Sequence, residues 1–546
     1  LQTARRAVRR QRLLRWLAFS LLILGAGGFY GALRLQAHLQ TRRFVESRME
    51  AARESLGRGL GMSQRASASR DKALALFDGQ HSGEAGTGRA GQDSWPEAEE
   101  AWSRALDELK HAEAAFDETE RLLEDALERA HDDLEARQLL IELTSERLLL
   151  AERFHRADER ARLLERFERL TSRYVAWQAR FDTPAVLDLE TEPPGASIEL
   201  LRYVDDDGVR RRKPVPGLGP LGATPISQVL LPPGPYHLRL TREGHAPVEL
   251  PLLLERGGHE KLRLSLPAAA QVPGGYAYIP PGCFLTGSAD PEPMRRFLRS
   301  APLHRMCLQE GYLIGRTEVT LREWMDYLES LPRGARERGL HPEKRVGGVE
   351  ALGLRQLPDD TWRLTLYLAS GDILTARDGE PIRYPHRSLR QEQDWRRFPL
   401  AGVSAEDVAG FLGWLDSTGR LPGARLCTEQ EWTRAARGAD HRRYPHGDRL
   451  QKDDANFEGT YGRRPDTFGP DETGAHPVSV SPFGVHDLAG NIFEITRPMT
   501  LDSGDIVLRG GAWYYDESGA LIANRQAGTS KLRDARVGVR VCASLE

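Results

Sequence analysis

Two acidic residues flank a glycine–asparagine turn near the C-terminal end of the chain, within SPFGVHDLAGNIFEIT at Ser481–Thr496. Asp487 and Glu494 lie on either side of Gly490-Asn491, so two carboxylates and several turn carbonyls can face one point. Hard cations such as calcium prefer oxygen ligands of this kind. The alternative is a turn between two core strands, with acids that are solvated or paired with arginines. The residues alone leave both interpretations open.

The four cysteines all lie in the second half of the chain. Their number and irregular spacing predict neither a disulfide framework nor a zinc site. A pair would oxidise if that half lies outside the cytoplasm, but the sequence does not say which pair. The cysteines are Cys283, Cys307, Cys427 and Cys542.

Length and charge set broad limits on the protein. A chain of 546 residues is long enough for about three to four domains. Charged residues make up 28% of the chain and the formal net charge is −3, which gives no indication of a nucleic-acid partner. Because the chain begins with Leu1 rather than methionine, we expect it to be the C-terminal part of a longer protein.

An apolar segment near the start predicts a single membrane span. Trp16–Leu33 contains no charged residue, and as a helix it is just long enough to cross a ~30 Å hydrocarbon core. More arginines precede the segment than follow it, so the positive-inside rule places residues 1–15 in the cytoplasm and residues 34–546 outside it. A signal peptide is the alternative, although no clean small-residue cleavage site follows. The arginines are Arg5, Arg6, Arg9, Arg10, Arg12 and Arg15 before the segment and Arg34, Arg42 and Arg43 after it.

Residues 34–182 have the composition of helices, being rich in Ala, Leu, Glu and Arg and poor in Pro. A Gly-rich stretch at 79–94 predicts a flexible loop. Small residues beyond it resemble those of one or two degenerate tetratricopeptide repeats, and a plain bundled stalk is the alternative. We expect this region to space the outer domains or to mediate self-association. One apolar helix face is predicted from Ala98, Ala101, Trp102, Ala105, Leu106 and Leu109.

Residues 183–268 predict a small β-domain. Alternating segments begin at Leu187, Ser197 and Tyr236, and Gly- and Pro-rich turns separate them. The segments EPPGA, GATP and PPGPYHLRLTREGH make this region similar to a PEGA domain, a small extracytoplasmic β-sandwich of bacterial surface proteins. The resemblance implies a spacer or an interaction module without catalytic activity.

Residues 275–546 contain several predicted helix starts. Ser404 and Thr428 are predicted N-caps, and Glu431 is placed to complete a capping box with Thr428. The segments RLCTEQEWTRAARG, YPHG, FGVHDLAGNIFEIT, LRGGAW and RVGVR follow one another in this order. Together they resemble the formylglycine-generating (sulfatase-modifying factor) family, over about Gly275–Ser544. The resemblance implies an α+β fold related to C-type lectins.

The resemblance also implies two structural calcium sites. One set would comprise Asn456, Asp466 and the carbonyls of Phe457 and Phe468. The other would comprise Asp487, Glu494 and the carbonyls of Gly490 and Ile492. Asn456 and Asp466 are closer in sequence than the family pattern leads us to expect, so the second set carries the stronger expectation.

Catalysis in this family depends on ligands that the sequence does not supply. Members that oxidise cysteine use two cysteines after the Arg-Gly-Gly motif to bind copper, and soft thiolates are the ligands suited to Cu(I). Here Trp513–Arg525 contains no cysteine. A second branch binds iron through an H-x-x-x-H helix, and the helical region has only scattered histidines. We therefore expect neither copper nor iron.

The corresponding surface is predicted to be a groove for a peptide or a small polar ligand. The alternative is that Trp513 belongs to the core and that the arginines form structural ion pairs. The predicted groove residues are Arg509, Trp513, Tyr514, Tyr515, Asp516, Asn524 and Arg525.

The domain order predicts the extracytoplasmic half of a bacterial inner-membrane receptor. The order is a cytoplasmic segment (1–15), a transmembrane helix (16–33), a helical stalk (34–182), a PEGA-like domain (183–268) and the last domain (275–546). It resembles transmembrane serine/threonine kinases with such domains, although no kinase motif occurs in this chain. We predict a periplasmic, non-catalytic sensor or binding region. The alternatives are an oxygen-dependent formylglycine-generating enzyme and a structural adhesin.

Overall fold

The computed structural model describes residues 2–79, 95–172, 181–332, 351–497 and 506–545, and residues 174, 177 and 179. Contacts divide the chain into two compact units. The first comprises Leu1–Ala73 and Pro96–Gln178, and the second comprises Leu74–Trp95 and Ala179–Glu546. The first unit is helical, and the second contains the described strands. Apart from Gly79, the predicted loop at 79–94 lies outside the described residues.

Ala- and Leu-rich helices build the first unit, as their composition predicts. The helices are α1 (Gln2–Gly79), α2 (Trp95–Arg129), α3 (Leu134–Arg153) and α4 (Ala157–Thr171). The predicted apolar face of α2 is buried, with Leu106 half-buried at its margin. Gly59 of α1 lets α2 approach closely, because a Cβ there would lie 2.6 Å from the ring of Phe116. Tetratricopeptide character and self-association remain predictions.

Helix α1 contains the predicted membrane segment. Among the described residues, it is the one helix long and apolar enough to cross a membrane. Every side chain described between Trp16 and Leu33 is exposed. A continuous apolar surface of this kind is unusual for a helix in water. Length and composition are the whole basis of this assignment, and secretory signal sequences share both properties.

Two sheets form the predicted small β-domain. A three-stranded sheet has the order β4-β1-β7 and a four-stranded sheet has the order β3-β2-β5-β6. Leu187 and Leu189 from the first and Leu238 and Leu250 from the second are fully buried in one core. The predicted strands are therefore confirmed, whereas the PEGA assignment remains a prediction. The strands are β1 (Ala185–Glu192), β2 (Ser197–Asp206), β3 (Val209–Pro214), β4 (Ile226–Leu231), β5 (Gly234–Thr241), β6 (Val248–Leu254) and β7 (His259–Ser265).

The β2–β3 hairpin is docked against the YPHG turn of the C-terminal domain. The backbone N–H of Asp448 donates to the carbonyl of Gly208 at 2.7 Å, and Arg210 donates to the Asp448 carboxylate at 2.5 Å. A Cβ on Gly447 would lie 2.1 Å from the Gly208 carbonyl oxygen. Only glycine permits this close approach. The contact therefore fixes how the hairpin packs against the turn.

Short helices and several small sheets make up the C-terminal domain. Its larger sheets have the orders β17-β22-β11-β8, β20-β19-β18-β21 and β12-β13-β14. The helices are α5 (Glu292–Phe297), α6 (Leu321–Ser330), α7 (Ala405–Ser417) and α8 (Glu429–Arg437). The strands are β8 (Tyr276–Ile279), β9 (Gly282–Thr286), β10 (His304–Leu308), β11 (Tyr312–Gly315), β12 (Ala351–Gln356), β13 (Trp362–Tyr367), β14 (Ile373–Arg377), β15 (Ile382–Arg383), β16 (Glu392–Gln393), β17 (Ala424–Leu426), β18 (Phe493–Thr496), β19 (Ile506–Arg509), β20 (Gln526–Gly528), β21 (Val537–Val539) and β22 (Val541–Ser544).

Helix caps occur where the sequence predicts them. Ser404 accepts a hydrogen bond from the backbone of Asp407, whose carboxylate accepts from the Ser404 backbone in return. Thr428 and Glu431 form the same reciprocal box at the start of α8. All nine residues of α8 are buried. Because five of them carry charged side chains or an amide, the surrounding domain must supply polar partners.

The cysteine expectation is corrected by the structure, because all four cysteines are paired. Cys283 and Cys307 face each other across the β9–β10 ladder. Cys427 and Cys542 are joined across 115 residues of sequence. Spacing did not predict these pairs because the sheets bring together cysteines that are remote in the chain.

Candidate functional site

The glycine–asparagine turn lies at the centre of the C-terminal domain, in contact with two other loops. The backbone N–H of Gly490 donates to Gly510, and the N–H of Trp513 donates to Asn491, at 2.7 and 3.0 Å. The N–H of Asn491 donates to Asn456 at 2.7 Å. A Cβ on Gly490 would lie 2.3 Å from the Asn456 carbonyl oxygen. The turn therefore holds the Arg-Gly-Gly loop against the segment around Asn456.

Glu494 is fully buried in β18 and forms an ion pair. Arg540 binds its carboxylate through Nε at 2.8 Å and through Nη2 at 2.5 Å. The indole N–H of Trp432 donates to the same carboxylate at 2.7 Å. The charge of Glu494 raises the pKa of Arg540 although burial opposes that shift. Pairing with an arginine, the alternative left open by the sequence, is what the structure shows for Glu494.

Asp487 lies in the same buried cluster with a third acid, Glu318. Asp487 has a positive φ of 58° and accepts from the Gly474 backbone N–H. Glu318 is 1% exposed, and one of its carboxylate oxygens has no hydrogen-bond partner. Burial, and then the charges of Asp487 and Glu494, raise the pKa of Glu318 well above its usual value despite Arg540. Three buried carboxylates thus share one guanidinium.

Asn491 links this acidic cluster to the other predicted calcium set. Its amide donates to Glu318 at 3.2 Å, and its Oδ1 accepts from Asn456 at 3.1 Å. Oδ1 of Asn456 is buried without a donor. The two predicted sets therefore adjoin. Neither Asn491 nor Glu318 was predicted as a site residue, although Asn491 lies in the quoted segment FGVHDLAGNIFEIT.

Two further members of the first calcium set, Asp466 and the Phe457 carbonyl, already have partners. Asp466 is paired with Arg464 at the surface. The carbonyl of Phe457 accepts from the Thr460 N–H at 3.0 Å. The ring of Phe468 lies 6.3 Å from that of Trp513 and 5.6 Å from that of Tyr514. Calcium at this set would require Asp466 to leave its arginine.

The negative charge around the second calcium set would suit a cation, but few of its ligand oxygens are free of other hydrogen bonds. The excess of buried acids over guanidinium groups favours a bound cation. The unpartnered oxygens beside this set belong to Glu318 and Asn456, which are not among its predicted ligands. Both oxygens of Glu494, however, already accept hydrogen bonds. Within the described residues, no group of three Asp, Glu, His or Cys side chains has metal-site geometry. Calcium therefore stays a prediction for both sets.

A second buried network surrounds Asp471. Arg387 and Tyr461 donate to its carboxylate at 2.6 and 2.7 Å. Nε2 of His476 lies 2.9 Å from the carboxylate, and Nδ1 lies 3.0 Å from the Asp453 carbonyl. Burial alone would raise the pKa of Asp471, but Arg387, His476 and Tyr461 outweigh it and hold that pKa well below its usual value. This network supports the backbone beside Asn491, which donates to the Asp471 carbonyl.

We expect His476 to make stability depend on pH. Both ring nitrogens face acceptors, so the imidazolium form is favoured, and Asp471 raises the pKa of His476 despite burial. Its contribution is complete below about pH 6.5, the pKa of an unfolded histidine, and is lost as pH rises through the folded pKa. His476→Gln should cost about 2 kcal/mol at pH 6 and less at pH 9. Urea unfolding of both proteins at the two pH values measures this, and a pH-independent difference would contradict it.

The predicted groove residues fall into two groups. Arg509, Asn524 and Trp513 are buried, whereas Tyr514 and Asp516 are exposed. Tyr515 is half-buried, and Arg536 lies 5.0 Å from the centre of the Tyr514 ring and 5.5 Å from that of Tyr515.

The arginines of the predicted groove are bonded to residues outside the exposed aromatic side chains. Arg525 binds Glu429 through two hydrogen bonds of 2.6 and 2.9 Å. Arg509 donates to Thr433 at 3.0 Å and to the Ile522 carbonyl at 2.6 Å. The side-chain amide of Asn524 donates to the Gly519 carbonyl and so stabilises the loop between these two residues. The aromatic side chains and the arginines thus contact different parts of the domain.

Fold and site together define an α+β domain with a charged core and oxidised cysteines. The chain belongs to the family of sulfatase-modifying factor enzyme 1-like domains. The model of that family matches residues 264–545. This match is consistent with the motif order of the C-terminal domain. The match begins at residue 264, just before the C-terminal domain.

Individual relatives match shorter parts of the chain. The serine/threonine-protein kinase pkn1 of Chlamydia caviae is 32% identical over 104 residues, which are 19% of this chain and 14% of the kinase. The inactive C-alpha-formylglycine-generating enzyme 2 of Bos taurus is 31% identical over 173 residues, 29% of this chain and 54% of that protein. The chain thus spans at most about half of either relative. The structure of PvdO from Pseudomonas aeruginosa has a TM-score of 0.33 at 20% identity, covering 50% of this chain and 94% of PvdO.

Proposed function

We propose that this chain is the extracytoplasmic sensor or binding region of a single-pass bacterial membrane receptor. The C-terminal domain binds a ligand and does not catalyse the oxidation of cysteine. A further part of the proposal is that the receptor is a serine/threonine kinase whose kinase domain lies outside this sequence.

One observation carries the non-catalytic part of the proposal. All four cysteines of the chain form disulfides, and none lies in Trp513–Arg525. Tyr515 and Ala520 stand near the places where family resemblance expects the copper-binding cysteines. A tyrosine and an alanine do not replace soft thiolate ligands. The relatives support this proposal, since one is named inactive and another is named a serine/threonine-protein kinase.

The disulfides also support the proposed topology. Disulfides persist in oxidising compartments such as the bacterial periplasm. Arg5–Arg15 before the apolar segment favours a cytoplasmic N-terminal side, which places residues 34–546 in the periplasm. Protease treatment of spheroplasts should digest the C-terminal domain, and protection of that domain would contradict the topology.

Copper binding and peptide oxidation test the non-catalytic proposal. The full chain in detergent should bind less than stoichiometric Cu(I) and should leave a cysteine-containing peptide unoxidised in air. Reduction of the two disulfides should not create a copper site at Trp513–Arg525, because that segment has no cysteine. Stoichiometric copper or iron, or peptide oxidation, would favour the oxygen-dependent enzyme instead.

The exposed aromatic side chains supply the proposed ligand-binding surface. Tyr514 is 41% exposed, and its ring packs at 5.6 Å against those of both Phe468 and Tyr515. Aromatic rings with an arginine beside them suit a peptide or a small polar ligand. Asp516, which caps the following turn through Ser518, adds an acceptor at the edge.

Calcium binding is a testable part of the proposal. If Asp487 and Glu494 hold calcium, saturating calcium should stabilise the domain by about 2–3 kcal/mol at 100 times the dissociation constant. Chelation should lower the melting temperature of the full chain, and Asp487→Asn should abolish most of the response. Glu458→Gln, which changes a carboxylate outside both sets, is the control. An unchanged melting temperature on chelation would remove calcium and leave Asp487 a packing role.

A further inference from the structure

A small cavity behind the Arg-Gly-Gly loop is lined by buried cationic side chains. Its volume is about 40 Å³, whereas a single water needs about 10–15 Å³. Thr433 and Arg437 lie four residues apart on one face of α8, and Gln430 precedes Thr433 by one turn. Arg509 of β19 and Arg525 complete the charged lining. The site is therefore built on a helix and a strand.

Three N–H donors in this lining have no acceptor. They are Nε of Arg437, Nε of Arg509 and Nε2 of Gln430. The three side chains belong to residues that are 2%, 3% and 6% exposed, so bulk water does not satisfy these donors. Leaving a buried donor unpaired is costly. The cavity thus needs an occupant that accepts hydrogen bonds.

The positive charge of the lining indicates that the occupant is negatively charged. Three guanidinium groups, from Arg437, Arg509 and Arg525, line the cavity with one carboxylate, that of Glu429. Glu429 is hydrogen-bonded to Arg525 and lies 3.6 Å from Arg509, so the lining has a net positive charge. Burial lowers the pKa of Arg437 to about 10 and that of Arg509 to about 9. A bound anion would offset the free-energy cost of burying these two charged guanidinium groups.

We propose that this cavity binds a small oxyanion, either a carboxylate or a tetrahedral sulfate or phosphate group. Guanidinium groups present planar donors that suit these oxygens. The cavity lies apart from the exposed aromatic surface, with half-buried Trp95 and Thr286 in its lining. The inference adds a ligand class to the proposed binding role.

The structure offers a matched pair of variants on α8. Arg434 and Arg437 are both buried and both donate to backbone carbonyls of the β8–β9 region. Nε of Arg434 is bonded to the Pro280 carbonyl, whereas Nε of Arg437 is free, and Arg434 does not line the cavity. Arg437→Lys removes a cavity donor, and Arg434→Lys is its control.

Thermal titration of the full chain in detergent tests the proposal. Acetate, sulfate and phosphate are added separately at constant ionic strength, with chloride as the reference ion. At least one oxyanion should raise the melting temperature saturably. Arg437→Lys should weaken its apparent affinity by about tenfold, and Arg434→Lys should retain wild-type affinity. The responding ion distinguishes a carboxylate from a tetrahedral group.

Gln430→Leu is a second variant of the cavity lining, to be used if Arg437→Lys does not fold. It removes an unpartnered donor and should weaken oxyanion binding several-fold. No saturable response of the wild type to any of the three ions, or equal losses in Arg434→Lys and Arg437→Lys, would overturn the proposal. Failure of the anion proposal would not change the outcome expected for copper binding. Copper binding, in turn, would contradict the proposed function without deciding whether the cavity binds an oxyanion.

Discussion

Replacing Arg540 with methionine is expected to lower the free energy of unfolding by about 3–5 kcal/mol, the usual cost of removing one partner from a buried ion pair. Arg540 is 1% exposed and holds the fully buried Glu494 through two hydrogen bonds. Its loss would leave Glu494, Asp487 and Glu318 without their shared guanidinium. It would also remove the bonds to the Gly315 and His486 carbonyls. Urea unfolding of the full chain in detergent measures the effect.

Two controls separate charge from packing in this experiment. Arg533→Ala breaks a partly exposed pair with Asp407 and should cost less than about 1 kcal/mol. Glu318→Gln replaces one of the three buried acids by a neutral amide and should make the Arg540→Met change less damaging. A cost below about 1 kcal/mol for Arg540→Met would show that the three acids do not depend on this arginine. Equal costs in the two Glu318 backgrounds would assign the effect to packing.

Removal of the Cys427–Cys542 disulfide is the second large expected effect. The bond closes a loop of 115 residues, and chain entropy gives about 4–5 kcal/mol for a loop of that length. The Cys427→Ala, Cys542→Ala double variant should therefore unfold at a clearly lower urea concentration. Both residues are buried, so lost packing acts in the same direction.

The other disulfide provides the matched control. Cys283 and Cys307 are 24 residues apart, so their double alanine variant should lose about 3 kcal/mol. The ordering of the two variants is the prediction, measured by urea midpoints under non-reducing conditions. A larger loss for the shorter loop would show that native packing, rather than loop closure, decides the cost. Reduction of the wild type should reproduce the two losses together.

Local patterns predicted much of the fold. The caps at Ser404 and Thr428 were predictable because a cap depends on residues within one helical turn. The strands of the small β-domain were predictable because side chains alternate along a strand. The apolar stretch of α1 was visible because membrane length and composition are properties of one continuous segment.

The site was predictable only in part. The motif order predicted that Asp487, Gly490 and Glu494 lie together at a central turn. It did not predict that Arg540 binds the Glu494 carboxylate, because Arg540 is remote in sequence and lies between β21, which pairs with β18, and β22. Glu318 was missed because a single acid among the polar residues Arg316, Thr317 and Thr320 gives no periodic signal of burial.

By itself, the sequence determined the order of segments, the family of the C-terminal domain and the lack of cysteine in Trp513–Arg525. These properties depend on residue identity and short-range spacing. Only the tertiary structure decided the cysteine pairing, the separation of the aromatic surface from the arginines and the unpartnered donors of Gln430, Arg437 and Arg509. Each depends on which remote residues meet after folding, and on burial, which makes an unsatisfied charge or donor costly.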